Sequence, residues 1–218
     1  MFRGAIRVAD ANGIDGLTMR ALAEELGVEA MSLYYHVKNK EAILDGVVDA
    51  IVNEIRDEIG GFDVPDQVDE WKTAMRERIS GARTVMLLHK WAPAVFESRT
   101  TIGLPVLEYM HMHLGIMRLG GLPWDLAHHA MHALGSRALG FSHELFEPDD
   151  DAQAEDDGFD MLEKMADQLP YLVEMMASMT PHGGDPESTI GWCDDDYEFY
   201  FGLDLILDGL EQRSQAGS

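Results

Sequence analysis

Helical periodicity runs along the whole sequence, and strand-like alternation over four or more residues is hard to find. That confines the chain to an all-α fold, with glycine and proline falling between the periodic segments. The first predicted helix spans Phe2 to about Asn12, with Ala5, Ile6 and Ala9 inward and Gly13 as its stop. Thr18 is placed to cap a short helix, Met19 to Leu26, whose apolar face is Leu22, Ala23 and Leu26, and Gly27 ends it. Val28 and Leu33, both expected to face inward, bracket a further short helix from about Ala30 to Tyr35. Asn39 then caps a fourth helix reaching about Glu58, with Ile43, Leu44, Val47, Ala50, Ile51 and Ile55 buried.

The Gly60-Gly61-Phe62-Asp63-Val64-Pro65 stretch is the clearest break in the pattern. It suggests an N-terminal domain over 1–59 and a helical domain over 60–218. Further helices are expected near 67–82, 83–91, 101–119, 123–144, 158–178 and 194–213. Prolines fall at or near their ends, except Pro170, which should kink or split the helix that contains it. The acidic run over 147–157 has no apolar period and reads as a solvated loop.

No stretch of 18 or more apolar residues suggests a membrane span, and the N-terminus lacks the features of a signal peptide. The single cysteine, Cys193, excludes an internal disulfide, which suits the cytoplasm. Its neighbours Asp194, Asp195 and Asp196 disfavour the thiolate, so it reads as unreactive. The formal net charge is −24, which at first sight argues against a nucleic-acid partner. The charge is unevenly spread, however. Through residue 40, Arg3, Arg7, Arg20, Lys38 and Lys40 balance Asp10, Asp15, Glu24, Glu25 and Glu29. A small DNA-binding head on an acidic body is therefore compatible with the composition, with weak non-specific affinity.

The segment from Leu17 to Val28 is a short helix, a glycine-containing turn and the start of a second helix, the spacing of a helix-turn-helix. The second helix must be short and polar on one side to enter a major groove about 12 Å wide, and Glu29 to His36 meets that need. A helical hairpin with no DNA role has the same spacing. Leu17-Thr18-Met19-Arg20, together with the run Leu33-Tyr34-Tyr35-His36-Val37-Lys38-Asn39-Lys40-Glu41-Ala42-Ile43-Leu44, resembles the N-terminal domain of the tetracycline-repressor (TetR) family. The resemblance covers about residues 5–55. His89-Lys90-Trp91, Gly121-Leu122 and the run Gly135 to Gly140 look more loosely like the effector domain of the tetracycline-repressor branch.

The resemblance implies a helix-turn-helix DNA-binding domain followed by a helical domain that binds a ligand and dimerises. Double-stranded operator DNA, a small-molecule effector and a second copy of the chain are the implied partners, with no membrane and no cofactor. Thr18 and Arg20 are expected to meet a phosphate and a guanine edge. Ala30, Met31 and Ser32 should face bases, while Tyr34, Tyr35 and His36 reach phosphates and sugars. Lys40 adds an ammonium to the anion-favouring start of the fourth helix. Tyr34 and His36 could instead pack between helices, and Arg20 could pair with Glu24. Many family members carry a basic arm before the first helix, whereas here only two residues precede Arg3, which implies fewer phosphate contacts.

The implied dimer pairs the helices near 123–144 and 194–213, using Ala130, Leu134 and Leu139 on one and Phe199, Leu203, Ile206, Leu207 and Leu210 on the other. Such stripes serve equally as core within one chain. The candidate effector pocket comprises Trp91, Phe96, Tyr109, Met110, Met117, Met131, Met165 and Met175, with Trp124 as a further aromatic wall. Flexible thioethers suit an adaptable apolar pocket, and also an ordinary core. An apolar or aromatic effector follows. Six histidines lie between His111 and His143, and His128 and His132 share a helix face. Spacing alone supplies no complete ligand set, so no metal is assigned. A metal-dependent hydrolase finds no supporting motif, and a ligand-binding protein that has lost DNA binding is the other alternative.

Overall fold

The computed structural model describes residues 1–67, 70–140, 168–178 and 195–216. Among these residues there are helices and no strand. The chain divides into one compact unit of residues 1–142 with 206–218 and a second of residues 143–205.

In the first unit, α1 (Phe2–Gly16) is broken at Gly13 (φ 70°, ψ 168°), so the expected stop is real but the chain winds one more turn to Gly16. Thr18 caps α2 (Met19–Leu26) through a hydrogen bond from Ala21 N–H to its hydroxyl at 3.1 Å. Gly27 ends α2 in the left-handed region (φ 66°), a conformation that costs glycine little. Val28 N–H then reaches back to Ala23 O at 3.0 Å. That closure turns the Val28 side chain outward, 45% exposed, which corrects its expected inward position. Leu33 is buried as expected.

The α3 helix (Ala30–Leu33) is shorter than anticipated. Its winding continues as turns, with His36 N–H donating to Leu33 O at 2.9 Å and Val37 N–H to the same carbonyl at 3.0 Å. Asn39 caps α4 (Lys40–Glu58), its side chain accepting from Ala42 N–H at 3.0 Å. Along α4 the buried set is Ile43, Leu44, Val47, Val48, Ile51, Val52 and Ile55, wider than the predicted stripe, while Ala50 is only half-buried. The width has a cause. The α4 helix packs against α1 and also against α5 (Trp71–Leu88), α6 (Ala92–Ser98) and α7 (Leu104–Leu119).

A single apolar core therefore runs from Ala5 in α1 through α4 to Val95 in α6, continuous across the Gly60–Pro65 break. The expected interruption near residue 82 is absent. Gly81 lies inside α5, where an added Cβ would come within 2.4 Å of Ile59 Cγ2, so this glycine permits close helix approach rather than a break. Pro93 and Pro105 sit in the first turns of α6 and α7, where a missing N–H costs little. The α8 helix (Trp124–Gly140) packs on both α5 and α7.

In the second unit, α9 (Pro170–Ser178) begins with Pro170; residues 158–167 of the helix expected there lie outside the described residues. The last helix, α10 (Asp195–Ala216), spans both units. Phe199, Leu203, Leu207 and Leu210 on α10, and Ala130 and Leu134 on α8, are buried within a single chain. They serve as core, which corrects their reading as dimer contacts; Ile206 is half-buried, and the Leu139 side chain lies outside the described set. The acidic run over 147–157, His143, Met165 and Cys193 also lie outside the described residues.

Ile51 is fully buried at the centre of the shared core. Ile51→Ala should destabilise the chain by about 2–5 kcal/mol, read from urea unfolding. A loss below about 1 kcal/mol would show that α4 is not so enclosed.

Candidate nucleic-acid interface and effector region

Most of the residues expected to meet DNA are exposed on α2, α3 and the turn after it. Tyr35 is 89% exposed and Met31 70% exposed, and Thr18, Arg20, Tyr34 and His36 are also exposed. Tyr34 and His36 therefore do not pack between helices. Ala30 is half-buried against the core and Ser32 is half-buried, its hydroxyl donating to Glu29 O at 2.7 Å, so these two offer less surface than predicted. Lys40, half-buried, opens α4 directly after its Asn39 cap. Arg20 pairs with Glu24 at 3.1 Å, with both side chains well exposed. Such a surface pair is worth about 0–1 kcal/mol, so the guanidinium stays available to a nucleic acid.

Behind this face, polar contacts tie the head to the following helices. His89 follows α5 and is buried. Its Nδ1 lies 2.7 Å from Asp10 Oδ1 on α1, and its Nε2 lies 3.0 Å from Glu54 Oε2 on α4. Trp91 donates its indole N–H to the same Asp10 oxygen at 2.8 Å. On another side, Arg99 reaches Glu41 Oε2 at 2.6 Å on the first turn of α4. Sequence reasoning missed the tie from His89 to Asp10 and Glu54, because the partners lie far apart along the chain.

The predicted effector residues are not gathered around one described cavity. Trp91, Phe96 and Tyr109 lie partly buried against the shared core. Met117 is fully buried, Met110 and Met131 are half-buried, and Met175 in the second unit is 44% exposed. Trp124 is 64% exposed, with the Arg118 guanidinium stacked 4.6 Å from its ring centre. A cavity of about 510 Å³ opens instead beside Arg56, Phe62, Leu104, Leu107, Glu108 and His111. Arg56 and Glu108 form an ion pair at its wall, and Arg56 stacks over Phe62.

The histidine cluster separates into different environments. His128 and His132 are exposed, with ring centres 4.9 Å apart, and among the described residues no three His, Cys, Asp or Glu side chains converge on a metal position. His113, by contrast, is 3% exposed, and its ring meets Tyr109 edge-on at 4.3 Å. Burial holds its imidazole down near pH 4, well below the ordinary 6.5. Burial also pushes the Tyr109 phenol up, so it stays neutral.

Against this geometry, residues 64–214 match the family model described as the tetracyclin repressor-like C-terminal domain, and residues 2–47 match that of bacterial regulatory proteins, tetR family. The chain belongs to the TetR family. It is 27% identical to the tetracycline repressor protein class C of Escherichia coli over 97% of this chain and 89% of that protein. With the HTH-type transcriptional repressor DrrR1 of Streptomyces coeruleorubidus it shares 30% identity over 95% of this chain and 74% of that one. Among solved structures, apo ActR from Streptomyces coelicolor superposes with a TM-score of 0.76 at 25% identity, covering 100% of this chain and 95% of that one. ActR in complex with (S)-DNPA gives 0.73 at 25% identity, over 98% and 96%. Like its relatives, this TetR-family chain is a ligand-responsive transcriptional regulator.

His113 makes the stability of this TetR-family fold pH-dependent. Between about 6.5 and about 4 the unfolded chain takes up a proton that the folded one refuses. Its contribution is complete above the upper value and falls away as pH drops through that window, by on the order of 3 kcal/mol. Denaturant unfolding at pH 7 and pH 4.5 should show a smaller difference for His113→Gln than for the unaltered chain. An identical difference would contradict a neutral, buried ring.

Proposed function

We propose that this chain is a repressor that binds a palindromic operator as a homodimer and is released by an apolar or aromatic effector. Residues 1–59 form the DNA-reading head and residues 60–218 the part that senses and dimerises. The observation that carries this reading is the solvent-facing set Thr18, Arg20, Met31, Tyr34, Tyr35 and His36, held on a rigid core with no intrachain burial to explain it. Exposed aromatic and thioether side chains at a helix-turn-helix are costly unless a partner covers them. In this reading Ala30, Met31 and Ser32 face bases, Met31 and Ala30 touching thymine methyls, Arg20 reads a guanine edge, and Thr18, Tyr34, Tyr35, His36 and Lys40 hold the backbone. The role is binding, with no catalytic step, exercised on DNA in the cytoplasm. No described helix is long and apolar enough to cross a membrane.

One helix-turn-helix reads too few base pairs, so two are required. The outward stripe Tyr197, Phe201 and Leu205 on α10, each about half exposed and four residues apart, is the surface we assign to the second copy. Tyr197 and Phe201 stack nearly parallel, with ring centres 6.3 Å apart, which keeps the stripe flat.

Release follows from linkage: an effector that prefers the conformation unable to grip DNA lowers operator affinity. Driving the population from 1:99 to 99:1 takes about a 10⁴-fold preference. We assign the transmission to His89, which joins α1 and α4 to the helices beyond. The ActR complex with (S)-DNPA supports a small-molecule effector for a chain of this fold. Trp91, Phe96, Tyr109, Met110, Met117, Met131, Met165 and Met175 remain the proposed effector residues.

Two substitutions separate positioning from reading in mobility-shift titrations. Arg20→Ala should cost about 1–3 kcal/mol on the operator and relax one base position. Lys40→Ala should weaken specific and random DNA alike and reduce the salt dependence by about one ion. Equal losses on both DNAs for Arg20→Ala would refute base reading by this residue.

A further inference from the structure

The solvent-facing side of α8 carries a pair of imidazoles that DNA reading leaves unused. Ala127, Ala130 and Leu134 are the buried residues of this helix, which packs on α5 and α7. Asp125, His128, His129 and His132 are exposed.

His128 and His132 stand one turn apart, so their side chains leave the helix as neighbours. Their ring centres are 4.9 Å apart and the ring planes meet at 76°. A metal ion bound about 2.0–2.1 Å from an imidazole nitrogen lies about 3.2 Å from the ring centre, so two rings that meet on one ion at about 90–109° have centres about 4.5–5.2 Å apart. The helix therefore already holds these two rings at chelating separation. Two histidines at this spacing on one helical face are a recurring metal-binding unit.

His129 belongs to a different contact. Its Nε2 lies 3.7 Å from Asp125 Oδ1, and its ring centre is 5.6 Å from that of His128. Among the described residues no third His, Cys, Asp or Glu converges with the pair. The protein thus supplies two nitrogens, and water completes the coordination of an ion held there.

The donor set selects the ion. Imidazole nitrogens suit zinc, nickel and copper, whereas magnesium and calcium take oxygen ligands. With a net charge of −24 the chain attracts every divalent cation in a general way, so preference for a transition metal is what distinguishes a site from that background.

We propose that His128 and His132 on α8 chelate one divalent transition-metal ion of the zinc, nickel and copper class. The ion bridges one turn of α8 on its solvent side and stabilises the folded chain by mass action. This site depends on neither the effector nor the operator.

The test is calorimetric titration of the metal-free full chain with Zn²⁺, Ni²⁺ and Mg²⁺ at pH 7.5, with the histidine ring signals of ¹⁵N-labelled protein followed by NMR. The expected result is one tight site per chain, binding Zn²⁺ and Ni²⁺ at least about a hundredfold more tightly than Mg²⁺. The ring signals of His128 and His132 should move with Zn²⁺ while those of His113 stay. His128→Ala and His132→Ala should each weaken binding at least about tenfold, because a lone imidazole loses its tethered second donor. His129→Ala should leave the affinity unchanged. Thermal unfolding of each metal-free variant at the midpoint of the unaltered chain separates a lost ligand from a lost fold. Zn²⁺ that binds no more tightly than Mg²⁺, as a merely acidic surface would give, overturns the proposal. So does an affinity that survives His132→Ala, a loss with His129→Ala as large as with His132→Ala, or no binding at all, the result for a plain edge-to-face ring pair.

Discussion

The burial of α4 on two sides is the constraint on which the rest of this molecule depends. Val47 and Ile51 are fully buried, and Val48, Val52 and Ile55 nearly so, because α1 covers one flank and α5, α6 and α7 cover others. Each such side chain contributes about 1.5–3 kcal/mol on burial. A helix enclosed in this way cannot shift at one flank without disturbing the other, since packed interiors do not deform smoothly. The exposed face of α2 and α3 and the helices α5, α6 and α7 thus share one packed core, with His89 joining Asp10 and Glu54 across the same junction.

Charge shapes how that face can work. With a net charge of −24 and a neutral first forty residues, the chain draws little general attraction to phosphate. Affinity must come from direct contact by exposed side chains, and the face is correspondingly rich in Met31, Tyr34 and Tyr35 rather than lysine. The Arg20–Glu24 pair fits that character, because a weak exposed pair releases its guanidinium at small cost.

Local chemistry was legible in the sequence, and tertiary consequences were not. The Thr18 and Asn39 caps and the Gly27 stop depend on residues within a turn of one another, and all three stand where the spacing puts them. Met31, Tyr34, Tyr35 and His36 follow as an exposed run from that local frame. The break expected near residue 82 does not occur, because α5 continues to Leu88 with Gly81 inside it, set close against Ile59. Val48 and Val52 looked peripheral because a single amphipathic stripe assumes one buried face. The apolar stripes of α8 and α10 were ambiguous between core and interface, and Phe199, Leu203 and Ala130 fall in the core. His113 stood among several histidines read by spacing, and only its burial and its bond to the Tyr109 carbonyl separate it from His128 and His132.

Selection from random-sequence duplex DNA with the full chain addresses the central claim most directly, namely that the exposed segment from Glu29 to His36 reads a groove twice through a symmetric pair. The account predicts an inverted repeat whose half-sites are centred about one helical turn apart or a multiple of it, and predicts that Met31→Glu, placing a carboxylate on the reading surface, abolishes the enrichment. Recovery of no motif, or of one that Met31→Glu leaves unchanged, would contradict it.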